Sequence, residues 1–428
     1  MFKVLLLFAV VIRILLMPIS VHPDLFFINT FPNLLLSDKI FNIALYFDQN
    51  LPDKEYTYYL PLTYYFFAAF QFINGLLSNT YSPWMHDLLE HLVTGKSAYP
   101  VDFIKSAPNP HLFKDIFLAK VPYLIFDIAV VIVFFKSVKN LKVAKTMILI
   151  WLFNPVLIYG VYIMGQFEII PSFFILLGFI LMRKNLQLGI ISLGIAAAFK
   201  SYAILLIIPV ALIYGHSFID RLKLLILGSL PYIIFLIPTL FSSADQVIYS
   251  FLPKVYLHYR KPIEGWSLYS QTVKYTFLSL SLLLIYFLAY FLKIKDKYKL
   301  TLGLGLTSFL LVYALAPRIS FHYLLWEVPL IVLFFKNSKT IVTLIVVQAI
   351  SLASYKLLAN HLQAGLFAPL NPNLFSSIPP FNDLVNQFIP YRIISSTGFF
   401  VFLFVNLYYS AKILGQLIFQ KEAKLYRK

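Results

Sequence analysis

The chain has 428 residues, of which 60% are hydrophobic and only 12% charged. That excludes an ordinary soluble domain, which is about half apolar and a quarter charged. The formal net charge of +17 does not point to nucleic acid, because Lys and Arg fall in short clusters between apolar runs instead of building one basic face. Cysteine is absent, which excludes disulfides, thiolate metal sites and cysteine nucleophiles.

Taken in order, the apolar runs read as transmembrane helices, since crossing a hydrocarbon core of about 30 Å takes about 20 apolar residues. The first run, Lys3 to Ile19, is interrupted by Arg13 and has no small-x-small cleavage site after it, so it reads as an uncleaved span. Further candidates are 115–136, 146–164, 168–182, 186–200, 201–215, 221–241, 276–294, 299–317, 322–335, 340–358 and 394–418. The expectation is therefore an all-α polytopic membrane protein, a single integral-membrane domain over 1–428 with about 12 transmembrane helices.

Orientation follows from the basic turns, because Lys and Arg accumulate in short cytoplasmic loops. Lys136 to Lys145, Arg183-Lys184, Arg221 with Lys223, Lys293 to Lys299, Lys336 to Lys339 and the tail Lys421 to Lys428 all fall on one side if both termini are cytoplasmic. The same count puts residues 20–114, Gln166 to Glu168, 242–275, Pro317 to His322 and 359–393 outside. The aromatic-rich run Tyr56 to Leu77 would invert this order if it crossed, so it is taken as an interfacial helix of the first loop.

The polar residues that remain gather on these outer segments. The first loop opens with Val21-His22-Pro23-Asp24 and continues with Asp38, Asp48, Asp53 and Glu55. Gly165-Gln166-Phe167-Glu168 separates two apolar runs, and Lys200 ends the next one. Residues 242–275 carry His258-Tyr259-Arg260-Lys261-Pro262, and Arg318 and His322 lie on a third outer loop. A carboxylate opposed by Arg, Lys and His suits a reaction in which a base takes a proton from an acceptor while cations offset the charge on a departing phosphate. Each residue also has a plainer reading. Asp24 after His-Pro can cap a helix, Arg260 and Lys261 can meet lipid head groups, Gln166 and Glu168 can close an interhelical network, Lys200 can snorkel, and Arg318 and His322 can anchor at the interface. Metal-binding patterns and glycine-rich phosphate loops are absent from the sequence, so neither a resident metal nor an ATPase is indicated.

Several stretches together resemble the GT-C superfamily of integral-membrane glycosyltransferases. Tyr59-Leu60-Pro61-Leu62-Thr63-Tyr64 is similar to a Tyr-Pro-Pro-Leu-Thr element of its first lumenal loop, and Lys114 to Phe135, with Asp127, to its second span. Asn154-Pro155 through Gly165-Gln166-Phe167 is similar to an Asn-Pro, spacer, Gly-His-Phe-Gln run but lacks the histidine. Ala197-Ala198-Phe199-Lys200 with Pro209, Tyr259-Arg260-Lys261-Pro262 to Ser267, and Phe321-His322 with Pro329 resemble later family elements. Within the superfamily the chain resembles the dolichyl-phosphate-glucose glucosyltransferases and, more loosely, the polyprenol-phosphate mannosyltransferases.

The resemblance implies inverting transfer of a hexose from a polyprenyl-phosphate donor to a glycolipid, glycan or protein acceptor at the extracytoplasmic face; no cofactor, a divalent metal included, is indicated by the sequence. A first-loop aspartate, here Asp24, would be the general base. Arg260, Lys261, Arg318 and His322 would bind the donor phosphate, and Gln166, Glu168 and Lys200 would shape the pocket. The alternative from another class is a lipid-linked glycan flippase or secondary transporter, which calls for charges near the middle of the membrane.

Overall fold

The computed structural model describes residues 1–50, 59–93, 100–138, 140–237, 240, 268–292, 294–316, 319–357, 365–379 and 381–419. Over these the chain is all-α, with no strand among the described residues. In chain order the helices are α1 (Phe2–Ile19), α2 (Pro23–Thr30), α3 (Pro32–Leu36), α4 (Ile43–Asn50), α5 (Pro61–Leu77), α6 (Tyr81–Val93), α7 (Pro100–Ser106), α8 (Leu112–Ser137) and α9 (Leu141–Leu152). Next come α10 (Pro155–Leu157), which runs into a π-helical turn at Ile158–Ile163, then α11 (Ile169–Leu181), α12 (Leu186–Phe199), α13 (Ile204–Tyr214) and α14 (Phe218–Leu236). The remainder are α15 (Leu268–Phe291), α16 (Lys297–Leu315), a 3-10 segment at Phe321–Trp326, α17 (Val328–Phe334), α18 (Ser338–Leu352), α19 (Pro372–Ser377), α20 (Phe381–Asn386) and α21 (Tyr391–Phe419).

The expectation of about 12 spans is corrected. Among the described residues, six helices are long and apolar enough to cross a membrane: Phe2–Ile19, Leu112–Ser137, Thr272–Phe291, Lys297–Leu315, Ser338–Tyr355 and Tyr391–Phe419. A seventh span results if Leu141–Leu152 and Pro155–Ile163, which meet at a 40° bend, are counted as one. Asn154 causes the break by capping α10 through its side chain, which accepts from the Val156 N–H at 2.8 Å with Pro155 in the first helical position. The runs expected at 168–182, 186–200, 201–215 and 322–335 are apolar but form shorter helices. The 13 residues of α11 and 14 of α12 rise only about 20 Å. Helix α14 is longer but opens on Asp220, Arg221 and Lys223.

Contacts divide the chain into two compact units. The first comprises Met1–Ile170, Phe235–Ser250 and Ala353–Ser396; the second comprises Pro171–Ile234, Phe251–Leu352 and Thr397–Lys428.

In the first unit α1 packs on α8, α9 and the π-helical turn, while α2 and α3 pack on α5 and α6. Val4, Leu7, Phe8, Val11, Ile14 and Leu15 form the exposed side of α1, an apolar stripe at helical spacing suited to lipid. Its opposite side carries Arg13, 1% exposed, which donates through Nε to Asp127 of α8 and through its terminal nitrogens to the Ala9 and Leu152 carbonyls, each at 2.9 Å. Asp127 also accepts from Trp151 Nε1 at 2.7 Å and from the Tyr162 hydroxyl at 2.7 Å. A charge buried in an apolar span is tolerable only when paired and hydrogen-bonded in this way.

In the second unit α13 packs against α15 and α16, α16 against α17, and α18 against α17 and the Phe321–Trp326 segment. Close approach is built into α12, where a Cβ on Gly194 would lie 2.1 Å from the Gly228 carbonyl oxygen of α14.

Candidate functional site

In the first unit the site is organised by one face of α8. Lys120, Tyr123 and Asp127 lie three and four residues apart, so their side chains line up along the same side of the helix. Asp127 holds Arg13, as described above. Lys120, fully buried, donates to the Ser20 carbonyl at 2.7 Å, to Ser20 Oγ at 3.0 Å and to the Tyr162 carbonyl at 2.8 Å. The Tyr123 hydroxyl donates to the Gly165 carbonyl at 2.7 Å. The stripe thereby ties the end of α1 to the end of the π-helical turn, and from these two ends the chain continues into Asp24 and into Gln166.

After Ser20 the backbone is extended, and His22 caps α2. Its Nδ1 accepts from the Asp24 N–H at 3.1 Å, with Pro23 in the first helical position. This corrects the capping reading of Asp24: the cap is His22, and Asp24 stands in the first turn, where the helix dipole favours a carboxylate. Because Nδ1 accepts, the imidazole proton belongs on Nε2, and the 3.3 Å approach of Nδ1 to Asp24 Oδ2 is a contact and not an ion pair in that tautomer.

On the other side Gly165 has φ +77°, a left-handed conformation suited to glycine. A Cβ there would stand 2.9 Å from Leu25 Cβ, so glycine also permits the close approach to α2. The turn points Gln166 at α2, and Gln166 Nε2 donates to Asp24 Oδ2. The Asp24 side chain keeps 18% of its surface exposed, whereas Gln166 is 1% exposed and Glu168 is fully buried. Tyr123 lies within electrostatic reach of both Asp24 and Glu168. Phe167, between Gln166 and Glu168, packs edge-on against Tyr59 at 5.1 Å and Phe67 at 6.2 Å.

Behind Asp24 the Tyr81 hydroxyl donates to Asn29 Oδ1 at 3.0 Å, joining α6 to α2. Part of the late outer segment closes on the same region: the Val21 N–H donates to the Leu366 carbonyl at 2.7 Å, and α19 packs on α7. Leu366 and Pro372–Ser377 thus pack against this part of the first unit.

A second cluster lies in the second unit. Lys200 follows α12 in an extended conformation and is 6% exposed. Its Nζ stands 5.0 Å from the Tyr323 ring centre and 5.9 Å from that of Trp326. Trp326 is stacked on Tyr202 at 3.4 Å and on Tyr323 at 4.2 Å, and His322 meets Tyr323 edge-on at 4.7 Å. Lys200 is thus held by aromatic faces, which replaces the snorkelling reading.

Of the residues expected at the site, the structure brings Asp24, Gln166 and Glu168 together in the first unit, and Lys200 and His322 around Tyr323 in the second. Arg260, Lys261 and Arg318 lie outside the described residues. The sequence reading missed Lys120 and Glu327. Both carried a usable signal, a lone charge inside an apolar run. Among the described residues no group of three or more His, Asp or Glu side chains is placed to hold a metal ion.

No protein-family model matches the chain, and no curated protein matches it in sequence.

Proposed function

We propose that the protein is an integral-membrane glycosyltransferase that moves a hexose from a polyprenyl-phosphate donor to a glycolipid, glycan or protein acceptor, with inversion at the transferred carbon. Asp24 is the base that takes the acceptor proton. His322, Arg318, Arg260 and Lys261 are the cations assigned to the donor phosphate, and Gln166, Glu168 and Lys200 shape the pocket. The basic turn between α8 and α9 assigns that end of α8 to the cytoplasm and Asp24, near its other end, to the opposite face of the membrane.

One observation carries this reading. Asp24 is a part-exposed carboxylate in the loop immediately after the first span, and its second oxygen is held by Gln166 from the segment that resembles the Gly-His-Phe-Gln run. A base must be fixed in direction yet open to its substrate, and this carboxylate is both. Glu168 and Gln166, being buried, serve as its support.

The test is a transfer assay in membranes containing the protein, with a labelled polyprenyl-phosphate hexose as donor. The reading expects label to enter a new glycosidic bond and requires Asp24 for it. Movement of unreacted donor across the bilayer without a new bond would instead establish the flippase reading.

A further inference from the structure

Glu327 is a carboxylate for which the proposed reaction has no use. It follows the 3-10 segment and precedes α17, within an apolar run from Phe321 to Phe334 that holds no other acid. It is fully buried, and neither carboxyl oxygen has a hydrogen-bond partner among the described residues. The polar side chain beside it is the Gln348 amide of α18.

From Gln348 the hydrogen bonds run away from Glu327. Gln348 Nε2 donates to Asn406 Oδ1 at 2.8 Å, and Asn406 Nδ2 donates to the Phe402 carbonyl at 2.7 Å within α21. Gln348 is thus left with its carbonyl oxygen and one N–H to offer. Cations on the neighbouring elements are engaged with other groups: Lys200 with the Tyr323 and Trp326 rings, Lys299 with Phe334, and Lys412 with Tyr408 and Tyr409. Lys339 is exposed, His322 packs on Tyr323, and the Tyr313 hydroxyl donates to the Tyr323 carbonyl. Among the described residues, the polar side chain that meets the buried Glu327 carboxyl is the Gln348 amide.

An ionised carboxylate stripped of water costs several times what a single amide N–H returns. A carboxylic acid matches the amide instead, because its hydroxyl donates to the amide oxygen while its carbonyl accepts from the amide N–H. We infer that Glu327 is a proton-binding site: the folded protein carries a neutral acid here, paired with Gln348, and the bound proton is part of the packing of α17, α18 and α21. Among the described residues no cation is paired with Glu327, so the proton stays while these helices remain packed. This inference stands whether or not the protein transfers sugar.

The test is infrared spectroscopy of the purified protein in detergent at neutral pH. The wild type shows the carbonyl band of a protonated carboxylic acid. Glu327→Gln folds and loses that band, and Gln348→Met shifts it by removing its hydrogen-bond partner. Absence of the band from the wild type, or a band untouched by both substitutions, overturns the inference. So does a Glu327→Gln chain that fails to fold, because glutamine keeps the donor and acceptor of a neutral acid.

Discussion

The side-chain amide of Gln166 grips the carboxylate of Asp24 across 142 residues of chain. This bond fixes one oxygen of a carboxylate whose side chain stays 18% exposed. Gln166→Leu frees the side chain to rotate and, on the proposed reaction, lowers kcat by about a hundredfold while leaving donor binding in place. Comparing kcat with KM for the donor checks this; a change confined to KM would assign Gln166 to donor binding instead.

Gly165→Ala places a methyl group against Leu25 in a backbone conformation that alanine resists, and the substitution costs about 1–3 kcal/mol. The additional substitution Leu25→Ala removes the collision but not the strain, so it restores only part of the loss. Thermal unfolding of the three variants in detergent provides the measurement.

Lys120 joins Ser20 to Tyr162 through neutral acceptors, four residues before Asp24 and four before Gln166 respectively. Lys120→Met removes the joint and lowers transfer by about a hundredfold, with a smaller loss of stability of about 1–3 kcal/mol. Activity and melting temperature measured on the same preparation separate the two effects.

Arg13 and Asp127 form a buried pair in which each satisfies the other. Arg13→Met leaves the carboxylate with only its two neutral donors and destabilises the first unit by about 3 kcal/mol or more. The double substitution Arg13→Met with Asp127→Leu recovers much of that loss, because no charge is then left behind. A double-mutant cycle on unfolding free energies reads the coupling.

Orientation can be tested directly because the chain has no cysteine of its own. Ser37→Cys, in the first loop, reacts with a membrane-impermeant maleimide on intact cells. Lys142→Cys, in the basic turn after α8, reacts only after permeabilisation. The reverse pattern inverts the assignment of faces.

Much of this was legible one residue at a time and little of it in pairs. Arg13 and Asp127 are each visible as a charge in an apolar run, and Asp24 and Gln166 each as a polar residue next to a span. Their pairing depends on how α1, α8 and the π-helical turn meet, and no local pattern encodes that. The span count went too high because hydropathy registers composition before length: Ile169–Leu181 and Leu186–Phe199 are as apolar as spans but stop short of a bilayer. Asp24 was open to a capping role because His-Pro-Asp at a helix start permits either residue to cap, and only the imidazole geometry decides for His22. Glu327 is visible in the same way, as a single acid in an apolar run, but that its carboxyl oxygens go without hydrogen-bond partners among the described residues shows only in the packing.

The most direct test of the central claim is the rate at which Asp24→Asn transfers label from polyprenyl-phosphate hexose, measured against wild type in the same membranes. The account predicts wild-type transfer and a loss of at least about a hundredfold in the variant, the contribution expected of a general base. Equal rates in wild type and Asp24→Asn would contradict it.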